Sequence, residues 1–236
     1  MRIELSLTPA LYPYRTIQEH HVTVAIDVLR ATTAVCAAFQ AGCEAIVPLD
    51  TLEGIENYRQ RGYRLAAERN GSKVGDAEYG NSPTEYLRHD MTGIRLAYST
   101  TNGTVSILRA AGADLALVGS FANLTALCDR LLKEGKDVVV LCSGWKNDFC
   151  IEDTLVAGAI AERLVAANPQ VSLHGDAMTM ALALWNMAKA DPYAFCQEAT
   201  HVHRLYRLGA AADVEFAFRQ DTCPVVPVLK NGLLTL

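Results

Sequence analysis

The chain has 236 residues, 50% of them hydrophobic, and a formal net charge of -5, so it can bury one large core or two modest ones. An acidic balance without a basic block argues against a nucleic-acid partner, although a small anion can still be held at a local positive site. No apolar run approaches membrane-spanning length, so no membrane partner is expected.

Met1-Arg2-Ile3-Glu4-Leu5-Ser6-Leu7 alternates apolar and polar residues as a strand does and lacks the long apolar core of a secretory signal. Seven cysteines, an odd number without a Cys-x-x-Cys pair, read as scattered reduced thiols and point to a cytoplasmic location. Val22-Thr23-Val24-Ala25-Ile26-Asp27-Val28-Leu29 is almost continuously apolar and rich in β-branched residues, as a central strand covered on both faces should be. A helix over 34–41 follows, stopped by Gly42, then a strand over 44–49. Asp50 or Thr51 can cap the next helix, to about residue 61, and 63–66 returns as a strand. Residues 68–83 are polar and glycine-rich without periodicity, the pattern of an ordered site loop, and they end in Asn81-Ser82-Pro83 with proline set for a first helical turn.

A similar plan then recurs. Residues 96–98 form a strand, Ser99-Thr100-Thr101-Asn102-Gly103-Thr104 a hydroxyl-rich turn, 105–111 a helix and 113–119 a strand. Ser120 caps a helix over 122–133, and a strand over 137–142 leads into Ser143-Gly144-Trp145-Lys146 and helices over 154–166 and 176–189. Residues 42–50 and 112–120 share their internal spacing, which suggests two similar βαβαβ halves, although shared α/β grammar gives the same spacing without duplication. Toward the end, 201–209 reads as a helix, 213–218 as a strand and 223–228 as an edge strand because of its prolines. The expected class is α/β, a three-layer αβα arrangement on a mostly parallel, mixed sheet. It forms one domain over 1–236, divisible into subdomains near 1–90 and 91–236.

Ligands in such folds sit beyond the carboxyl ends of the strands, where Asp27, Arg30, Glu68, the 99–104 turn and the 143–153 segment all fall. Asp27 needs a partner, hydrogen bonds or a metal to offset its burial, and a plain ion pair with Arg30 is the simpler reading. Arg30 with Thr32 and Thr33 offers a guanidinium fork and hydroxyls to phosphate or sulfonate. The 99–104 turn is either an anion cradle at a helix N-terminus or a threonine-capped turn. Glu68, Asp76, Glu78, Glu152, Asp153 and Asp176, gathered with Asp27, would suit a hard cation such as Mg²⁺, while Glu152 and Asp153 also suit a first helical turn. The six histidines form no His-x-x-x-His pair, His201 and His203 diverge on a helix, and none is assigned. Cys142 at a strand end reads either as a thiolate nucleophile or as a buried structural thiol.

Together, Asp27-Val28-Leu29-Arg30-Ala31-Thr32-Thr33, Gly80-Asn81-Ser82-Pro83, Thr100-Thr101-Asn102-Gly103-Thr104 and Glu152-Asp153 resemble the 2-phosphosulfolactate phosphatase family, with Asp213 as a further matching position. The chain departs from the family pattern at Gly75-Asp76-Ala77-Glu78-Tyr79, where a glycine-phenylalanine-aspartate run is usual, and at Trp145-Lys146. The resemblance implies Mg²⁺-dependent hydrolysis of (R)-2-phospho-3-sulfolactate, a small anionic phosphorylated substrate, in coenzyme M biosynthesis. The candidate catalytic residues are Asp27, Arg30, Glu152 and Asp153, with Mg²⁺ held by some of Asp27, Glu68, Glu152 and Asp153. Substrate contacts are implied for Arg30, Thr32, Thr33, Asn81, Ser82, Thr100, Thr101, Asn102, Gly103, Thr104, Ser143 and Gly144. Two alternatives stand beside it, a non-catalytic binder of a phosphorylated or sulfonated metabolite and a cysteine-dependent hydrolase using Cys142. An exposed edge or apolar patch could also pair the chain into a homodimer.

Overall fold

A computed structural model describes residues 1–236. The first strand, β1 (Arg2–Ser6), is followed by β2 (His21–Ile26), every residue of which is buried as its apolar run requires. Then come α1 (Ala31–Gln40), β3 (Ala45–Leu49), a short α2 (Ile55–Gln60), β4 (Arg64–Arg69), β5 (Ser72–Lys73) and the single-turn α3 (Pro83–Tyr86). The alternation continues through β6 (Arg95–Ser99), α4 (Gly103–Ala110), β7 (Leu115–Gly119), α5 (Leu124–Glu134), β8 (Asp137–Cys142), α6 (Ile151–Ala167), β9 (Ser172–His174) and α7 (Asp176–Ala188). The chain closes with α8 (Pro192–Phe195), α9 (Thr200–Arg207), α10 (Ala211–Ala217), β10 (Val228–Lys230) and β11 (Leu233–Thr235).

One 11-stranded sheet runs in the order β5-β4-β6-β3-β11-β10-β7-β2-β8-β1-β9. Its βα units pair in parallel, whereas β5 and the β10–β11 hairpin pair antiparallel, so the sheet is mixed and mostly parallel as expected. On one face the alternate residues Val22, Val24 and Ile26 of β2 pack with α5, α6 and α7. On the other, α1 and α4 cover Ile46, Leu96, Tyr98, Ala116 and Val118. This is the three-layer αβα arrangement. Strands from 1–90 and 91–236 interleave: β6 lies between β4 and β3, and β2 lies between β7 and β8.

Two C-terminal expectations are overturned. Residues 213–217 belong to α10, capped by Phe218, and Val214 and Ala217 are buried at helical spacing, i and i+3, rather than alternating as in a strand. Residues 223–228 are not an edge strand. Only Val228 joins β10, which lies mid-sheet between β7 and β11, and Pro224 and Pro227 precede it, so neither removes a ladder donor. Asn231 and Gly232 both take positive φ, 52° and 77°, and make the two-residue turn that folds β10 onto β11. The second helix is also shorter than expected, starting at Ile55 behind a left-handed Gly54 rather than at an Asp50 or Thr51 cap.

The sheet is curled in a way that matters for the site. Five spacings of about 4.8 Å would put β6 and β2 roughly 24 Å apart in a flat sheet, whereas the four steps from Ser99 to Gly103 reach at most about 14 Å. Yet Gly103 sits against Asp27, at the end of β2: a β-carbon there would lie 2.2 Å from Ala31 Cβ and 2.6 Å from Asp27 Oδ2. Curling, the usual response of a twisted sheet of this breadth, brings the two carboxyl ends together.

Candidate active site

The carboxyl ends of β2, β4 and β6 meet at a small pocket walled by Asp27, Arg30, Glu68, Asn81, Asn102 and His201. Helices α1 and α4 begin at this pocket and α6 begins at the adjoining cavity, so positive helix ends converge on one region. The turn over 99–104 therefore lies beside Asp27 and not on an opposite face.

Asp27 is folded back on α1. Its backbone N–H donates to Thr32 Oγ1 at 2.9 Å, its Oδ1 accepts from the Ala31 N–H at 3.1 Å, and its Oδ2 accepts no hydrogen bond. Burial pushes its carboxyl up to about 6, with the Glu68 and Glu152 charges adding to the rise and His201 and the Ala31 N–H opposing it. The plain alternative of an Asp27–Arg30 ion pair is not what forms. Arg30 Nη1 instead donates to Asp213 Oδ2 at 2.8 Å and Nη2 to the Gly71 carbonyl at 2.6 Å, while Ser82 and Thr84 hydroxyls donate to Asp213 Oδ1 at 2.7 Å and 2.6 Å. Asp213, a helical residue, thus clamps the Arg30 guanidinium at the pocket wall.

The other carboxylates divide by surroundings. Glu68 accepts from the Thr101 N–H at 2.6 Å and the Gly71 N–H at 2.5 Å, joining β4 to the 99–104 turn. Asp153 accepts from the Val28 N–H at 2.8 Å and the Gly144 N–H at 3.1 Å, so it braces two loops and lies outside the walls of this pocket. Burial, then Asp27 and Glu152, push its carboxyl well above the usual range. Glu152 is 3.0 Å from His201 Nδ1 and borders a second, adjoining cavity. Asp76 and Glu78 are outside the cluster, paired with Arg59 at 2.6 Å and Arg64 at 2.7 Å, and Asp176 is exposed at the start of α7.

Most of the hydroxyls expected to touch substrate are turned inward. Thr32 and Thr33 donate to the carbonyls of Asp27 and Val28, each at 2.8 Å. Thr100 Oγ1 accepts from the Thr104 N–H at 3.0 Å, Thr101 Oγ1 from the Asn70 N–H at 3.0 Å, and Ser143 donates to Ser106 at 2.7 Å. Thr32, Thr33, Thr100, Thr104 and Ser143 are buried; these residues set loop geometry, as in a capped turn. Arg30, Asn81 and Asn102 reach the pocket wall. The Asn81 side-chain carbonyl accepts from the Tyr98 hydroxyl. Gly103 lets α4 approach Asp27, and Gly144, at φ 59°, leaves room for the Asp148 carbonyl that a β-carbon would meet at 2.1 Å.

Two wall residues escaped sequence reasoning. His201 and Arg204 stand at i and i+3 on α9, with Arg204 Nη1 3.4 Å from His201 Nε2, and the Arg204 guanidinium lies 3.8 Å over the Trp145 ring. The spacing within α9 was the available signal. His203 does point away from His201, toward Glu198 at 3.4 Å. Cys142 is fully buried, and burial with the Asp153 and Glu152 charges pushes its thiol far above the ordinary range, so it supplies no thiolate nucleophile.

Two donor sets lie here. Asp27, Glu68 and Glu152 offer oxygen alone, the preference of Mg²⁺, but their carboxylate oxygens do not all come within 4.8 Å of one another, and Glu152 faces His201 at 3.0 Å. Cys150 Sγ, Glu152 and His201 approach within 4.8 Å of one another and make a mixed sulfur, oxygen and nitrogen set.

A family model described as 2-phosphosulpholactate phosphatase matches residues 6–232. Proteins described as probable 2-phosphosulfolactate phosphatases are similar along nearly their whole length. That of Microcystis aeruginosa is 34% identical over 236 residues, covering 98% of this chain and 97% of that protein. That of Caldanaerobacter subterraneus subsp. tengcongensis is 31% identical, with 93% and 92% covered, and that of Prochlorococcus marinus strain MIT 9313 is 36% identical, with 92% of each covered. An acid-rich pocket among helix N-termini and these matches agree on the class, an α/β phosphoric monoester hydrolase. Within that class the chain belongs to the 2-phosphosulfolactate phosphatase family.

Proposed function

We propose that the protein hydrolyses (R)-2-phospho-3-sulfolactate to sulfolactate and phosphate with the help of Mg²⁺, acting in the cytoplasm. The observation that carries this reading is the clustering of buried carboxylates, one with a free oxygen, at the N-termini of α1 and α4. Asp27, Glu68 and Glu152 would hold the ion, which supplies charge neutralisation at the phosphoryl oxygens and orients water. The chain's own residues do the rest. The positive N-terminal ends of α1 and α4 favour the phosphoryl group beside Asp27. Arg30, held by Asp213 and Gly71, presents a fixed positive edge to the substrate. His201 lines the pocket with Nδ1 facing Glu152 at 3.0 Å and Nε2 facing the Arg204 guanidinium at 3.4 Å.

The test is turnover of 2-phosphosulfolactate and a panel of other phosphomonoesters, with and without EDTA. Activity should be lost in chelator and return with added Mg²⁺. Equal rates in both arms would remove the metal role, and tight substrate binding without phosphate release would make the protein a binder instead.

A further inference from the structure

Cys150 has no part in the phosphatase chemistry, yet its thiol lines an open cavity. It is the N-cap of α6, in an extended conformation with φ -114° and ψ 136°, and its side chain makes no capping hydrogen bond. Two residues apart within a helix, Cys150 and Glu152 would diverge; the extended cap instead lets the thiol approach the Glu152 carboxylate. A third group arrives from α9, where His201 presents Nδ1 to both, 4.0 Å from Cys150 Sγ and 3.0 Å from Glu152 Oε1. The Trp145 ring, its centroid 5.5 Å from that of the imidazole, holds the His201 plane.

The sulfur, oxygen and nitrogen all lie within 4.8 Å of one another. A tetrahedral zinc ion, with bonds of about 2.3 Å to sulfur and about 2.0 Å to nitrogen and oxygen, spaces its ligand atoms roughly 3.3–3.6 Å apart. The two separations made by Nδ1 are therefore within about 0.5 Å of those around a bound ion. All three side chains border the second cavity, of about 250 Å³, which supplies an entry path and leaves a fourth position open to water. Thiolate and imidazole favour Zn²⁺ or Co²⁺ and are poor donors to Mg²⁺, so this set selects a different ion from the carboxylates around Asp27.

We infer that Cys150, Glu152 and His201 form a binding site for a thiophilic divalent cation of the Zn²⁺ class. On binding, the Cys150 thiol releases its proton to solvent, and His201 ligates through the Nδ1 lone pair with its ring proton on Nε2. Arg204 Nη1 then gives up its 3.4 Å approach to Nε2. Glu152 belongs to both donor sets, so an ion held here withdraws it from Mg²⁺. On the phosphatase reading above, the site is inhibitory.

The test uses the full-length protein, stripped with EDTA and returned to excess Mg²⁺, with Co²⁺ as a spectroscopic substitute for Zn²⁺. One equivalent of Co²⁺ should bind and give a sulfur-to-cobalt charge-transfer band in the near ultraviolet beside the intense visible bands of a four-coordinate ion. Cys150→Ser should abolish the charge-transfer band. It should also weaken Zn²⁺ binding in equilibrium dialysis by roughly 100-fold or more, since losing only an outer-shell partner costs about 10- to 100-fold. Serine is itself a good N-cap, so this variant should melt as the parent does, and Cys128→Ser, on α5, should keep the band. With Mg²⁺ in excess, Zn²⁺ should inhibit the parent and spare Cys150→Ser. No binding, a spectrum without the charge-transfer band, a band that survives Cys150→Ser, or equal inhibition of parent and variant would each overturn the proposal. Cobalt bound through thiolate in a protein that hydrolyses no phosphomonoester would support the metal site and overturn the phosphatase reading instead.

Discussion

Asp27 bears its charge where burial opposes it, and the consequence is a stability penalty that can be measured. Its carboxyl is raised from 3.8 to about 6, so between those values the native state binds more protons than the unfolded chain. The Asp27 contribution, read as the parent minus Asp27→Asn, should therefore cost the metal-free protein stability as pH rises from about 4 to about 6, by up to about 3 kcal/mol. Asp27→Asn removes the charge. In EDTA at pH 7.5 it should melt higher than the parent, while turnover of the Mg²⁺-supplemented enzyme falls roughly 100-fold or more. Melting curves across pH and a phosphate-release assay check the two halves; an Asp27→Asn variant that melts lower, or turns over normally, refutes the assignment.

Helix α6 carries Glu152 and Asp153 to the site and is held there by close packing on α7. At Gly158 an added β-carbon would lie 2.2 Å from the Ala181 carbonyl oxygen and 2.6 Å from Trp185 Cβ. The obstacle is backbone, so α6 must shift. Gly158→Ala should cost about 1–3 kcal/mol, a fall of several degrees in Tm, and should lower kcat by moving Glu152. At this scale much was legible in the sequence. The strand over 137–142 matches β8 residue for residue, because unbroken β-branched runs ending in glycine or hydroxyl turns have few other solutions. The convergence of Asp27, Arg30, Glu68 and the 99–104 turn followed from strand-end positions alone. Hydroxyl direction did not: a threonine-rich turn has the same composition whether its oxygens face a ligand or, as at Thr32 and Thr33, their own backbone. His201 and Arg204 were hidden for another reason. They reach the pocket on a helix about 50 residues beyond Glu152, and only tertiary packing brings them back.

The sheet is continuous across the molecule only because its last residues lie in its middle. β10 pairs with β7 and β11 pairs with β3, so the hairpin bridges the strands that carry Glu68 and the 99–104 turn to those that carry Asp27 and Glu152. The Asn231-Gly232 turn was the readable sign of this hairpin, but its central place depends on partners more than 100 residues away along the chain. A sheet divided at this point exposes two edges and the apolar faces of Leu229 and Leu234, both in the core beneath α1 and α4. The curl that brings Gly103 onto Asp27 is also drawn across this bridge. A chain ending at Pro227 should therefore lose the shared pocket and not merely a tail. It should aggregate or bind a hydrophobic dye, with no cooperative melt and no phosphatase activity, whereas Leu236→Ala, at a 65% exposed terminal residue, should behave like the parent. A soluble, active protein ending at Pro227 would show that the two half-sheets are held in register by α1 and α4 alone.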